Sequence, residues 1–216
     1  SAGMITDFFL LDINNDKKKD IIICSEWGTI DAYLQQQNSF TKENLCKKTG
    51  LWQFLLPVDA DGDGDVDIIA GNYGLNSRLK ATARQPINMY INDFDDNGMK
   101  EQIVTYYVHD EEIPFSSKMQ LERRMPVLKK KFLYAAEFAK ADLQTIFPKQ
   151  KWASATKYAV TTTASHILIN NGSKGFEATV LPATSQWSTI RSGIIIPGSA
   201  DNTVLLGGNF YGYNVI

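Results

Sequence analysis

Long apolar runs, cysteine and histidine are scarce in this chain of 216 residues, and each scarcity removes a class of protein. No stretch of about 18 nonpolar residues occurs. The longest aliphatic clusters, Ile21-Ile22-Ile23 and Ile194-Ile195-Ile196, have the length of buried strands, so no transmembrane segment is expected. Cys24 and Cys46 are too few for a disulfide scaffold and too far apart for a zinc cluster. Both read as core residues, and the sequence leaves open whether they pair. Neither sign of charge dominates: 22 basic and 24 acidic residues leave a net charge of -2, with no bulk field to draw nucleic acid or an anionic membrane. Signatures of catalysis are missing too. There is no glycine loop followed by Lys to cradle phosphate and no Gly-x-Ser-x-Gly elbow. His109 and His166 stand without a nucleophile or metal partner at a recognisable spacing, and each reads as a structural or surface residue.

What is present is an ordinary globular composition, 44% hydrophobic and 11% aromatic, enough to bury one substantial core or two small ones. A repeat runs through it. Asp12-Ile13-Asn14-Asn15-Asp16-Lys17-Lys18-Lys19-Asp20 precedes Ile21-Ile22-Ile23, and Asp59-Ala60-Asp61-Gly62-Asp63-Gly64-Asp65-Val66-Asp67 precedes Ile68-Ile69-Ala70. Asp93-Phe94-Asp95-Asp96-Asn97-Gly98-Met99-Lys100-Glu101 leads into Ile103-Val104. The three loops share one template: carboxylate or amide at positions 1, 3 and 5, carboxylate at position 9, then a strand. A fourth copy shows only in its tail, where Val204-Leu205-Leu206-Gly207-Gly208-Asn209 aligns with residues 67–72 and places Ile196, Gly198, Ala200 and Val204 at the ligand positions. The repeat is therefore a structural unit first and a metal site second.

Short strands are expected before each loop, at 8–11, 54–58 and 89–92, and after each loop. Further strands are expected at 29–34, 106–109, 165–170 and 176–181, with Asn170-Asn171-Gly172 as a tight turn. The fold class is mainly β. Residues 116–147 break the rhythm as a helical insertion, with Ser116 or Ser117 as N-cap, Pro126 in the first turn of a second helix, and Asp142 capping a last one before Pro148. Its apolar residues Met119, Leu121, Val127, Leu128, Phe138, Leu143, Ile146 and Phe147 suit short amphipathic helices that cover a neighbour or a sheet edge.

The chemistry of the loops is that of calcium (Ca2+), a hard cation that takes six to eight oxygen ligands from short Asp- and Asn-rich segments. Side chains at positions 1, 3 and 5 turn inward: Asp12, Asn14 and Asp16; Asp59, Asp61 and Asp63; Asp93, Asp95 and Asn97. Position 7 offers the backbone carbonyl of Lys18, Asp65 or Met99, and Asp20, Asp67 or Glu101 closes the shell at position 9. Gly64 and Gly98 at position 6 permit the sharp turn. An EF-hand is excluded, because position 12 is Ile23, Ala70 or Val104 where a bidentate Glu is required, and the flanks read as strands. Loop two, with four carboxylates and two glycines, is expected to bind most tightly. Loop one, with Asn14 and three lysines, is expected to bind last.

Loops of the form Asp-x-Asp-x-Asp-Gly-x-x-Asp ahead of a β-strand and a Gly-Asn step resemble the FG-GAP or VCBS repeats of integrin-α-type β-propellers and of many secreted bacterial proteins. Gly71-Asn72-Tyr73-Gly74-Leu75-Asn76-Ser77, residues 91–98, the helical stretch and residues 164–172 are similar to the large bacterial VCBS-repeat proteins. The resemblance implies four-stranded blades with calcium in their loops, an extracellular, periplasmic or cell-surface location, and a role in scaffolding, adhesion or ligand contact. On that basis residues 1–216 form a single partial β-propeller of about three blade equivalents. Its partners would be a protein or glycan ligand, and the remaining blades of a longer chain or a second copy.

Ser1-Ala2-Gly3 reads as an engineered start with an export signal once ahead of it, and residues 207–214 read as a repeat broken off. No enzymatic activity is expected. The alternative is a calcium-dependent polysaccharide-acting enzyme with Tyr106, Tyr107, His109 and Arg123 in a cleft. A further reading makes sugar platforms of Trp27, Trp52, Trp152 and Trp187, although aromatics of such repeats serve more often as core. Asn171-Gly172-Ser173 is a glycosylation sequon of near-chance significance.

Overall fold

Antiparallel hairpins dominate the protein, as the alternation of apolar strands with Asp-, Asn- and Gly-rich turns requires. A computed structural model describes residues 3–197 and 203–209. Among the described residues there are thirteen strands, paired antiparallel throughout, and five short α-helices, and no sheet closes into a barrel. The chain divides into two compact units, one drawn from the segments up to Arg78 and from Thr162 onward, the other Leu79–Thr161.

The first unit contains β1 (Met4–Leu11), β2 (Asp20–Gln35) and β3 (Phe40–Leu51) as one sheet. A second sheet runs in the order β11 (Phe176–Val180), β10 (His166–Asn170), β5 (Asp67–Gly71), β4 (Phe54–Val58). A separate hairpin pairs Ser192–Ile195 with Val204–Gly207. That hairpin holds the strand of the fourth repeat copy, whose Gly198 and Ala200 lie outside the described residues. β2 joins the strand expected after loop one to the one expected at 29–34, because it runs on past a bulge where Trp27 takes φ +56° and the register shifts between Glu26 and Gly28, and β3 has no counterpart among the expected strands.

Both sheets feed one core, with Ile22, Cys24 and Ile30 from the first and Leu55, Ile68 and Leu168 from the second around the wholly buried Trp52. Cys24 and Cys46 are free thiols in this core, not a disulfide. Burial pushes the Cys24 thiol up to about 12 and the Cys46 thiol upward, so neither is a reactive thiolate.

The Gly-Asn step after β5 is a clasp. Buried Asn72 accepts the Leu51 and Tyr73 N–H groups at 3.1 and 2.7 Å and donates its amide to the Thr162 and Ala164 carbonyls at 3.2 and 3.0 Å. Three chain segments are thereby tied by one side chain. Gly71 beside it is required by space: a Cβ there would stand 2.5 Å from the Ile190 carbonyl oxygen.

In the second unit the sheet order is β8 (Glu111–Pro114), β7 (Glu101–Val108), β6 (Ile87–Asn92), β9 (Thr156–Val160). Between β8 and β9 stand α1 (Lys118–Arg124), α2 (Val127–Lys131), α3 (Ala135–Ala139), α4 (Leu143–Ile146) and α5 (Lys149–Ala153). Ser117 caps α1 in a capping box with Gln120, and Asp142 caps α4 through the Thr145 N–H. The helical stretch continues past Pro148, because proline ends α4 yet suits the entry to α5. Leu121, Met125, Leu128, Ile146 and Phe147 pack against Tyr90, Phe94 and Ile103 of the sheet side, whereas Met119 and Val127 are exposed.

Replacing Asn72 by Ala should cost at least about 2 kcal/mol in urea denaturation, since it strands several buried backbone groups. Asn76→Ala, which removes a single exposed contact to the Trp187 carbonyl, should stay within about 0.5 kcal/mol. A second expectation concerns acid. His166 is buried edge-on against Trp52, and desolvation lowers its pKa despite the Ala164 carbonyl at 2.9 Å. The unfolded chain therefore takes up the proton first, so stability should fall as pH drops below about 6.5. In a pH series of denaturation curves, His166→Gln should flatten that part of the profile.

Candidate metal centre

Each acidic loop closes a hairpin at the same register. The residue before the loop pairs with position 9: Leu11 with Asp20, Val58 with Asp67, Asn92 with Glu101. Positions 4 and 6 are left-handed in all three: Asn15 and Lys17 in the first, Gly62 and Gly64 in the second, Asp96 and Gly98 in the third. The glycine positions of the sequence template are thus conformational demands. Loop one meets them with an asparagine and a lysine at some strain.

The position-9 carboxylate is buried in every copy and accepts the N–H of position 2: Ile13 to Asp20 at 3.1 Å, Ala60 to Asp67 at 2.8 Å, Phe94 to Glu101 at 2.9 Å. The other oxygen of Asp20 accepts the Gln35 N–H, and that of Asp67 accepts the Asn170 N–H, both at 2.8 Å. Position 5 accepts the N–H of position 7: Lys18 to Asp16 at 2.9 Å, Asp65 to Asp63 at 2.8 Å, Met99 to Asn97 at 2.7 Å. Position 1 receives N–H groups from within the turn, Asp16 and Lys17 to Asp12, Gly62 to Asp59, and Asn97 and Gly98 to Asp93.

On this frame two acidic groups converge. Asp59, Asp61 and Asp67 bring carboxylate oxygens within 4.8 Å of one another, and so do Asp93, Asp95 and Glu101. In the second group Asp95 Oδ1 is buried and has no hydrogen-bond partner, an arrangement that leaves a buried anionic oxygen uncompensated by the protein. Asp63 lies outside its loop's convergent trio, and the Asp65 side chain turns away to accept the Asn15 amide at 3.1 Å. Met99 is exposed, and only its backbone can serve. Loop one forms no such trio among the described residues. Its Asp16 is paired with the Lys18 ammonium at 3.3 Å, and the Lys18 backbone N–H, with that ammonium behind it, holds the Asp16 carboxyl below its ordinary pKa. A resident lysine also stands at loop three: Lys151 of α5 donates to the Asp93 carbonyl at 2.7 Å and pairs with Asp96.

Residues 12–70, spanning loops one and two and the strands after them, match the profile of the FG-GAP-like repeat. This part of the chain is similar to an FG-GAP-like repeat. No curated protein matches the chain, and no solved structure does. Loop three lies beyond the matched residues yet has the FG-GAP-like loops' register, left-handed positions and position-9 bond.

Elsewhere the residues proposed for catalysis are dispersed. Tyr106 is buried against Phe115, Tyr107 points to the opposite face of β7, His109 occupies the exposed turn before β8, and Arg123 is exposed on α1. Trp52 is core, and Trp152 is held by the Leu143 and Phe147 carbonyls inside the helical cluster, so neither is a sugar platform. Trp187 is 67% exposed beside Leu75. Sequence reading missed Glu112, whose carboxylate accepts from Asn88, Tyr90, Thr105 and Tyr107 across three strands, since no local motif marks residues that meet only through strand pairing. The Glu112 charge and burial raise the Tyr90 pKa, burial first, which keeps that phenol a donor.

No atom lies within 4 Å of the position a Cβ would take on Gly64, so Gly64→Ala tests backbone strain alone and should cost about 1 kcal/mol. Lys17→Gly, relieving the same strain in loop one, should gain about 0.5 kcal/mol after the entropy cost of glycine. Urea denaturation of both variants reads the two signs.

Proposed function

We propose that this protein is a calcium-braced segment of an extracytoplasmic β-propeller that serves as a scaffold, adhesion or ligand-binding module, without catalytic activity of its own. The repeat match supports a scaffold built of repeats. The observation that carries the metal is the uncompensated Asp95 Oδ1 within the Asp93, Asp95 and Glu101 group, because a buried anionic oxygen without a donor is stabilised by a cation. All the converging donors are carboxylate oxygens, which favours a hard ion over zinc or copper. Calcium tolerates irregular coordination of this kind better than magnesium does. Extracellular calcium modules bind at about 10⁻⁴ to 10⁻³ M, which fits millimolar calcium outside the cell. Among the described residues no helix is long and apolar enough to cross a membrane. Blades supplied by a longer chain or a second copy complete the ring in this reading.

Loops two and three are the binding loops, and loop one, with Asp16 engaged by Lys18, is the weakest. A site of about 10⁻⁴ M affinity in 1 mM calcium stabilises the fold by roughly 1.4 kcal/mol through mass action. Chelation should therefore lower the melting temperature by several degrees. Asp61→Ala or Asp95→Ala should each remove more of the calcium-dependent shift than Asp16→Ala, as read by calorimetric titration and thermal melts. A wild-type protein with no calcium heat and no shift sinks the proposal, as does Asp16→Ala proving the most damaging of the three.

A further inference from the structure

Loop one, loop two and the turn between β10 and β11 surround a cavity of about 290 Å³ in the first unit, close to the lower end of small-ligand sites at ~300–1,000 Å³. Its apolar lining is Ile13, Leu34, Leu45 and Phe176. Polar groups stand on the walls: Asn14, Glu43, Asp65, Asn170 and Ser173. Asn170 is only 6% exposed; its Oδ1 accepts the Gly172 N–H at 3.1 Å, and among the described residues its Nδ2 has no acceptor. Asn14 likewise commits its Oδ1 to the Asp16 N–H and leaves its Nδ2 to the cavity. Asp65 uses Oδ1 for the Asn15 amide and leaves Oδ2 open.

The cavity therefore offers carboxylate acceptors and amide donors side by side over an apolar lining. An anionic ligand is repelled by Asp65 and Glu43. An ammonium finds those carboxylates but sets its charge against the Asn14 and Asn170 N–H groups. Hydroxyl groups satisfy both, donating to the carboxylates and accepting from the amides, while a ring's C–H face covers Phe176. We propose that this cavity is a binding site for a neutral polyhydroxylated ligand, with the size and chemistry of one sugar unit of a glycan. The cavity borders the proposed calcium loops, since Asn14 stands at position 3 of loop one and Asp65 at position 7 of loop two.

Titrating the isotopically labelled protein with D-glucose, D-galactose, D-mannose and N-acetyl-D-glucosamine, with methylammonium and acetate as charged probes, tests this by NMR. At least one sugar should shift the Asn170 side-chain amide signals saturably at millimolar concentration, and neither charged probe should. Asp65→Ala should weaken that sugar about tenfold, the effect of one lost bond to a charged acceptor; the calcium heat is read on Glu43→Ala, outside the metal loops, and should stay as in wild type. Glu43→Ala, at an exposed strand position that tolerates truncation, should weaken it in the same direction. The proposal is overturned if no sugar saturates, if methylammonium shifts the Asn170 amide in place of sugar, or if both variants bind sugar as wild type does. A lost calcium heat with sugar binding retained would count against the metal reading alone.

Discussion

A hairpin that leaves a sheet and returns to it nine residues later must satisfy the backbone N–H of the second residue beyond the outgoing strand, at a point where the loop turns over and no ladder partner remains. In this protein a buried carboxylate does so three times, from Asp20, Asp67 and Glu101. Burying a carboxylate is costly unless its oxygens are occupied, and in the first two copies both oxygens are, the second by the Gln35 N–H at the far end of β2 itself in one and by the Asn170 N–H of the neighbouring β10 in the other. That bond fixes where the loop begins and ends. The second oxygen ties the loop to the far end of β2 through Gln35 in one case and to β10 through Asn170 in the other.

With the ends pinned, the rest of the loop follows from the backbone. Two left-handed residues at positions 4 and 6 curl the chain tightly enough for the carboxylates of positions 1 and 5 to receive N–H groups of the same turn. The skeleton is therefore common to all three copies and independent of how many carboxylates converge. Asn72 plays the corresponding part outside the loops, joining β3, β5 and the strand approach at 162–164 through one buried amide.

This separation of skeleton from charge explains what could be read in the sequence. The 1-3-5-9 template and the strand after it were legible, because a hairpin loop and its following strand are contiguous in the chain, as were the Ser117 and Asp142 caps. The position-9 residue was read as a metal ligand only, since the N–H it accepts and its burial depend on strand pairing. Asp63 looks equivalent to Asp61 in the sequence, yet it caps the turn, while the Asp65 side chain, which the template leaves unassigned, crosses to Asn15. The Glu112 cluster, the length of β2 and the strand β3 itself were invisible for the same reason: all depend on pairing with other strands.

The energetic consequence differs between the copies. Two carboxylate charges about 4 Å apart repel by about 4 kcal/mol at the effective dielectric of a protein surface, so a converging trio stores repulsion that the loop's own N–H groups only partly offset. Loop one avoids this, with an amide at position 3 and a lysine drawn onto Asp16. Loops two and three retain it, and in loop three one oxygen, Asp95 Oδ1, is left with no donor at all. A divalent cation converts that repulsion into attraction without altering a backbone bond. The same skeleton therefore supports a self-sufficient turn in loop one and cation-seeking turns in loops two and three, and the difference lies in which side chains stand at positions 3 and 5 and whether a lysine can reach them.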